Sequence, residues 1–166
     1  VSDLGFETPT PIQAKAIPVL ISGRDLIGQA QTGTGKTAAF ALPIVQSMDM
    51  SLMEPQALIL APTRELAIQV AGGIYEFAKG SNLRIVPVYG GQPIDRQFRS
   101  LRAGAHIVVG TPGRILDHLR RGSLSFAAVK MCVLDEADEM LALGFAEDLD
   151  SILAELPAQR QLAFFS

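Results

Sequence analysis

Two short clusters in this chain carry residue types that could act together on a nucleotide. The first, Ala30-Gln31-Thr32-Gly33-Thr34-Gly35-Lys36-Thr37, lies between an apolar run, Leu26-Ile27, and a helix-compatible run at 38–42. Strand, glycine-rich turn and Lys-Thr at a helix start is the layout of a phosphate-binding loop. Gly33 and Gly35 can take left-handed backbone angles, so successive N–H groups can point inward at a polyphosphate. The helix start adds partial positive charge where the anion would sit. Lys36 would reach the β/γ-phosphates, and the Thr37 hydroxyl would ligate Mg²⁺. The usual pattern begins with Gly. Ala30 holds that place, and as the next smallest residue it still permits the loop.

The second cluster is Asp135-Glu136-Ala137-Asp138, directly after the apolar run 131–134. An acid pair at the end of a buried strand suits nucleotide hydrolysis. Asp135 would hold Mg²⁺, directly or through water, and Glu136 would orient or deprotonate the attacking water. Acids also suit any helix start, and alone the pair would leave that reading at even odds. The phosphate loop far upstream, with room for several βα units between, favours the catalytic one.

The elements that must position these clusters are legible as a pattern. Short apolar runs recur at 57–61, 85–89, 106–110, 131–134 and 162–165, with helix-like segments between them. Leu66, Val70, Ile74 and Phe77 recur at spacings of three and four, which is a helix face. Apolar strands alternating with amphipathic helices predict an α/β fold, a mainly parallel sheet with helices on both faces. Ligands bind at the C-terminal ends of such strands, and each motif falls just after one of these runs. Residues 47–55 form a Met-containing polar loop, and no internal repeat, low-complexity tract or interdomain linker interrupts the pattern.

Composition agrees. A chain of 166 residues is the size of one domain, and 48% apolar content with positive mean hydropathy suits a buried sheet. No apolar run approaches the ~18–20 residues of a membrane span, and no signal peptide is seen at Val1. The one cysteine, Cys132, excludes a disulfide framework and is expected in the core. It fits a reducing, cytoplasmic compartment. A net charge of −3 argues against a strongly basic nucleic-acid binder, but not against a local patch.

Three further stretches have two readings each. Residues 5–13 read Gly-Phe-Glu-Thr-Pro-Thr-Pro-Ile-Gln. Gln13 offers a donor and an acceptor side by side, matching adenine rather than guanine. It is also, most simply, a surface helix residue behind a Pro9/Pro11 helix start. Thr63-Arg64-Glu65-Leu66 and Thr111-Pro112-Gly113-Arg114 are helix starts, the second with Thr as N-cap and Pro at the first helical position. Taken singly these are ordinary capping. With Gly90-Gly91 they make three anion-friendly strand ends that could hold a nucleic-acid backbone without reading its sequence.

In this order and spacing, the stretches resemble the first RecA-like domain of a DEAD-box RNA helicase of bacterial type. Residues 5–13 match the family's Q motif and 30–37 match motif I, including its Ala start. Residues 62–67 match motif Ia, Gly90-Gly91 the double glycine and 111–114 motif Ib. Asp135 to Asp138 spell the family name. The resemblance implies a RecA-like P-loop NTPase fold that remodels or unwinds RNA at the expense of ATP. It implies that Phe6, Thr8 and Gln13, with Gln31, Thr32, Gly33, Thr34, Gly35, Lys36 and Thr37, bind ATP or ADP. Thr37 and Asp135 would hold Mg²⁺, with Glu136, Lys36 and Asp135 in catalysis. Pro62, Thr63, Arg64, Gly90, Gly91, Thr111, Pro112, Gly113 and Arg114 would hold one RNA strand by its backbone. Asp138 and Ser166 would couple this domain to a second RecA-like domain.

The chain departs from the family pattern at its ends. The aromatic residue that stacks on adenine upstream of the Q motif is not included. The sequence ends at the first residue of the family's Ser-Ala-Thr motif III, and the second RecA-like domain is absent. The expectation is therefore a fragment that binds nucleotide, hydrolyses it poorly and does not unwind RNA. Other P-loop enzymes are disfavoured: no Asn-Lys-x-Asp guanine-reading motif occurs, and a DNA-directed relative would lack the Q motif. The intact Lys36, Asp135 and Glu136 argue against a module that only binds. His106 and His118 are read as non-catalytic, and Arg120-Arg121 as a solvated helix end. Arg96, Arg99 and Arg102 are read as surface residues, with RNA contact the alternative.

Overall fold

Each apolar run of the sequence becomes a strand, within a residue at either end. In the computed structural model, which describes residues 8–166, the order is α1 (Pro11–Ile21), β1 (Leu26–Gly28), α2 (Lys36–Ser47), β2 (Ala57–Leu60) and α3 (Arg64–Phe77). There follow β3 (Ile85–Val88), α4 (Ile94–Arg102), β4 (Ile107–Gly110), α5 (Pro112–Arg120), β5 (Met131–Leu134), α6 (Ala137–Ala142), α7 (Ala146–Ala154) and β6 (Gln161–Phe165). Gly5 and Phe6 of the first motif lie outside the described residues.

The strands form one sheet in the order β1-β6-β5-β2-β4-β3, and every neighbouring pair is parallel. A parallel partner cannot be reached by a tight hairpin, so a helical crossover separates each strand from the next. The expected mainly parallel sheet is wholly parallel among the described residues.

Alternation along the strands divides the core in two. Ala57 and Ile59 face one side, with Leu20 of α1, Phe40 and Ile44 of α2, and Val70 and Ile74 of α3. Leu58 and Leu60 face the other, with Ile115 and Leu116 of α5, Met140 of α6, and Leu149 and Ile152 of α7. Phe40 and Phe165 lock α2 to β6, their ring centroids 5.4 Å apart. Every residue of β2, β4 and β5 is buried, Cys132 included. Among the described residues, no helix is long and apolar enough to cross a membrane.

Candidate functional site

Because the six strands among the described residues run the same way, each motif that follows a strand is delivered to one rim of the sheet. The sheet order then sorts them. The phosphate loop follows β1, Ser166 follows β6, and the acid cluster follows β5, and these three strands are adjacent. Thr63-Arg64 follows β2, Thr111 follows β4, and Gly90-Gly91 follows β3, and these make the other half of the sheet. Motifs interleaved along the chain thus separate into two neighbouring groups.

In the phosphate loop, Gly33 and Gly35 have φ of 81° and 79°, the left-handed angles expected of them. Gly35 is the N-cap of α2 and no side chain caps that helix, so its first N–H groups stay open to an anion. The Thr34 hydroxyl and N–H both turn back to the Gln31 carbonyl, which closes the loop on itself. The loop is fixed to the last strand: Ala30 N–H donates to Ser166 O at 3.0 Å, and Ser166 N–H to Gly28 O at 3.1 Å.

Lys36 opens α2 with its side chain only 6% exposed, held between two carboxylates. Its Nζ lies 2.9 Å from Asp135 Oδ1 and donates to Glu136 Oε1. Burial penalises the ammonium, but its hydrogen bonds to Glu136 and Asp135 and their charges outweigh that and raise its pKa. Burial also pushes the Asp135 carboxyl above the usual carboxylate range, against the pull of Lys36. Asp135 is anchored further, since its N–H donates to Leu60 O at 2.9 Å, which ties the end of β5 to β2.

Glu136 reaches Lys36 from a backbone at φ 51°, ψ 52°, the one non-glycine positive φ among the described residues. Such a conformation in a non-glycine residue costs about 1–2 kcal/mol. Nothing in the sequence announced it. Among the described residues no three or more His, Cys, Asp or Glu converge into a metal cage. The Asp135–Glu136 carboxylate pair is a hard, incomplete oxygen set. That suits Mg²⁺, which keeps waters and takes phosphate oxygens as its remaining ligands.

Gln13 is helical, as its bland reading required, but it is not a surface residue. It is 3% exposed. Its Nε2 donates to Gly35 O at 3.1 Å, and its Oε1 accepts from Thr10 N–H at 3.0 Å. One hydrogen and one lone pair of the amide are left over, which is what an adenine edge requires. Thr8 is exposed at the start of this segment.

On the other half of the rim, Thr63 caps α3 by accepting from Leu66 N–H at 3.2 Å. Pro62 is buried, while Arg64 is exposed and pairs loosely with Glu65 at 3.4 Å. Arg64 also lies against Gly91, where a Cβ would sit 3.2 Å from its Nη1. Thr111 is the N-cap and Pro112 the first residue of α5, as expected, but the Thr111 side chain makes no capping bond. Arg114 is half-buried and donates to Gln92 O at 3.0 Å and Gln97 Oε1 at 3.2 Å. Arg96, Arg99, Arg102, Arg120 and Arg121 are all exposed.

Asp138 and Ser166 meet at an open cleft of about 520 Å³, which Gln29, Ala30, Thr32 and Glu136 also line. His106 and His118 are buried in structural positions: His106 Nδ1 accepts from Arg84 N–H at 3.0 Å, and His118 is bonded through both ring nitrogens. The residue that sequence reasoning passed over is Gln97, on α4 beside the three arginines. Its phase with Ile94 and Leu101 was the signal that it points inward.

Comparison with known proteins places this geometry. The sequence profile of the DEAD/DEAH box helicase family matches residues 10–166. The chain is 58% identical over its whole length to the ATP-dependent RNA helicase DeaD of Haemophilus influenzae, of which it covers 27%. It is 54% identical to the DEAD-box ATP-dependent RNA helicase CshA of Geobacillus kaustophilus, of which it covers 36%. The chain thus spans about a third or less of these relatives. The crystal structure of a DEAD box protein from Methanococcus jannaschii superposes on 99% of the chain with a TM-score of 0.95 and 46% identity, and the chain covers 45% of that protein.

Proposed function

Because the chain belongs to the DEAD/DEAH box helicase family, we propose that it is the RecA-like ATP-binding domain of an ATP-dependent RNA helicase, acting in the cytoplasm. The nucleotide sits against the 30–37 loop, with Gln13 reading adenine and Lys36 and the open N–H groups of α2 holding the phosphates. Phe6 and Thr8 belong to the same subsite on the family pattern. The observation that carries this reading is Lys36 held between Asp135 and Glu136, directly at the glycine turn.

Thr37 and Asp135 would hold Mg²⁺, directly or through water. When bound, the ion supplies charge neutralisation on the phosphates. Glu136 orients the attacking water and accepts its proton. Lys36 exchanges its carboxylate partners for phosphate oxygens, which frees Asp135 and Glu136 for those tasks.

Arg64, Gly90, Gly91 and the start of α5 hold one RNA strand by its backbone, with Pro62, Thr63 and Thr111 to Arg114 shaping that surface. Contacts of this kind do not read sequence. Selection of RNA over DNA would come from 2′-hydroxyls. A second RecA-like domain completes the site, and Asp138 and Ser166, at the cleft beside the phosphate loop, couple the two. An arginine finger supplied from outside this chain contributes on the order of 10³–10⁵ in rate. The isolated chain therefore binds nucleotide, turns it over slowly and does not unwind RNA.

The test is a titration with fluorescent ADP and Mg²⁺, competed by ADP and by GDP. Good displacement by ADP and poor displacement by GDP is the expected result, and equal competition would sink the adenine reading. RNA-stimulated turnover by this chain at rates typical of an intact helicase would overturn the need for a second domain.

A further inference from the structure

The strongest unassigned feature is a buried polar network under the second half of the rim. Its centre is Gln97, the one fully buried residue of α4, at 2% exposure. Gln97 Nε2 donates to Tyr89 O at 2.8 Å and to Gln92 Oε1 at 3.0 Å. Its Oε1 receives Arg114 Nη1 at 3.2 Å and lies 2.8 Å from His118 Nε2. A primary amide has two N–H groups and two acceptor sites, and here all four are engaged. The Gln97 acceptor requires His118 to carry its proton on Nε2, and the Nδ1 of His118 then faces Ser123 Oγ at 2.8 Å.

These bonds join pieces that must keep a fixed spacing. Tyr89 and Gln92 flank Gly90-Gly91, the turn after β3. Arg114 and His118 belong to α5, the helix after β4. Arg114 closes the circuit by donating to Gln92 O. Arg64 at the start of α3 lies nearby, since a Cβ on Gly91 would sit 3.2 Å from its Nη1. One side chain therefore sets the distance between the turn and the α5 N-terminus, and a shift of the turn would carry to Arg64.

We propose that Gln97 is a positioning residue for nucleic-acid binding, fixing the Gly90-Gly91 turn against the start of α5 so that both meet one phosphate backbone. This rests on the RNA-backbone reading of the rim given above. Gln97 touches no ligand itself. No other side chain of its size offers two donors and two acceptors at one point. Met keeps the volume and loses all four bonds. Glu loses both donations and sets an oxygen against the Tyr89 carbonyl.

The experiment uses the full-length protein with a fluorescein-labelled single-stranded oligouridine, Mg²⁺ and a non-hydrolysable ATP analogue. Affinity is measured across salt concentrations for the parent, Gln97→Met, Gln97→Glu and Arg64→Ala, with thermal melts to verify folding. Misplacing a contact surface can cost one to two orders of magnitude, so each Gln97 variant that melts cooperatively should bind about tenfold more weakly. Its log–log salt slope should also become shallower by roughly one phosphate contact, a change that lost stability alone would not produce. Wild-type affinity in a folded Gln97 variant, or weaker binding with an unchanged slope, overturns the positioning role. If Arg64→Ala still weakens binding in that case, the RNA reading of the rim survives. If Arg64→Ala also has no effect, that reading falls with it.

Discussion

Gln13 on α1 rests on Gly35, the residue that opens α2: the amide Nε2 donates to the Gly35 carbonyl at 3.1 Å. A Cβ on Gly35 would overlap that same nitrogen, whereas a Cβ on Gly33 would meet nothing within 4 Å. Both glycines have left-handed φ, so alanine at either position costs about 1–2 kcal/mol of backbone strain. Only Gly35→Ala adds the steric overlap, worth about 1–3 kcal/mol more. Urea unfolding should rank Gly35→Ala clearly below Gly33→Ala, and equal losses would mean that Gln13 simply moves aside.

On the proposed function, Gln13 links an adenine subsite to the 30–37 loop. Gln13→Ala leaves Thr10 N–H without its partner and Gly35 O with only Ala39 N–H, which should lower stability by about 1–3 kcal/mol. The same change should remove most of the preference for ADP over GDP, since a paired donor–acceptor contact discriminates by about 1–3 kcal/mol. Competition titrations on parent and variant would reveal this as convergence of the two affinities. A variant that keeps the parent's preference would assign base reading to another residue.

The Lys36–Asp135 pair predicts non-additive stability. Lys36→Met leaves Asp135, 1% exposed, without its nearest cation, and removing one partner of a buried pair costs on the order of 3 kcal/mol. Asp135→Asn is milder, because Lys36 keeps Glu136. The double variant should be more stable than the sum of the single losses predicts, with a coupling of about 1–3 kcal/mol. Strict additivity in urea unfolding would show that the pair contributes nothing before nucleotide binds.

Much of this was legible in the sequence, for physical reasons that differ by residue. The strands were readable because a parallel sheet covered on both faces needs unbroken apolar runs, as at Ile59 and Val108. The glycine turn at 30–37 was readable because Gly33 and Gly35 supply its left-handed backbone angles. Sheet order was not readable: nothing local says that β6 inserts between β1 and β5 or that β5 lies beside β2, although that order is what gathers the 30–37 loop, the acid cluster and Ser166 on one half of the rim. The side-chain partners of Gln97 and Arg114 were not readable either, because they depend on two helices from different crossovers meeting.

Cys132 gives a prediction at alkaline pH. It is fully buried in β5, and burial pushes its thiol from about 9.0 up to about 12. Below pH 9 the thiol is protonated in both folded and unfolded chains, and its contribution to stability is fully present. Above that, the unfolded thiol ionises while the folded one does not. Stability is therefore lost as pH rises from about 9 towards 12, at up to about 1.4 kcal/mol per pH unit from this residue. The raised pKa of Lys36 acts in the same direction at still higher pH, but it is shared by parent and variant. Cys132→Ala should therefore start less stable at pH 7, because of the cavity it leaves, and lose stability less steeply between pH 9 and 10.5. The thiol should also resist a thiol-specific reagent at pH 8 until the chain unfolds. Parallel stability curves for parent and Cys132→Ala across that range, or fast labelling of the folded chain, would show that the β5 core opens to solvent without global unfolding.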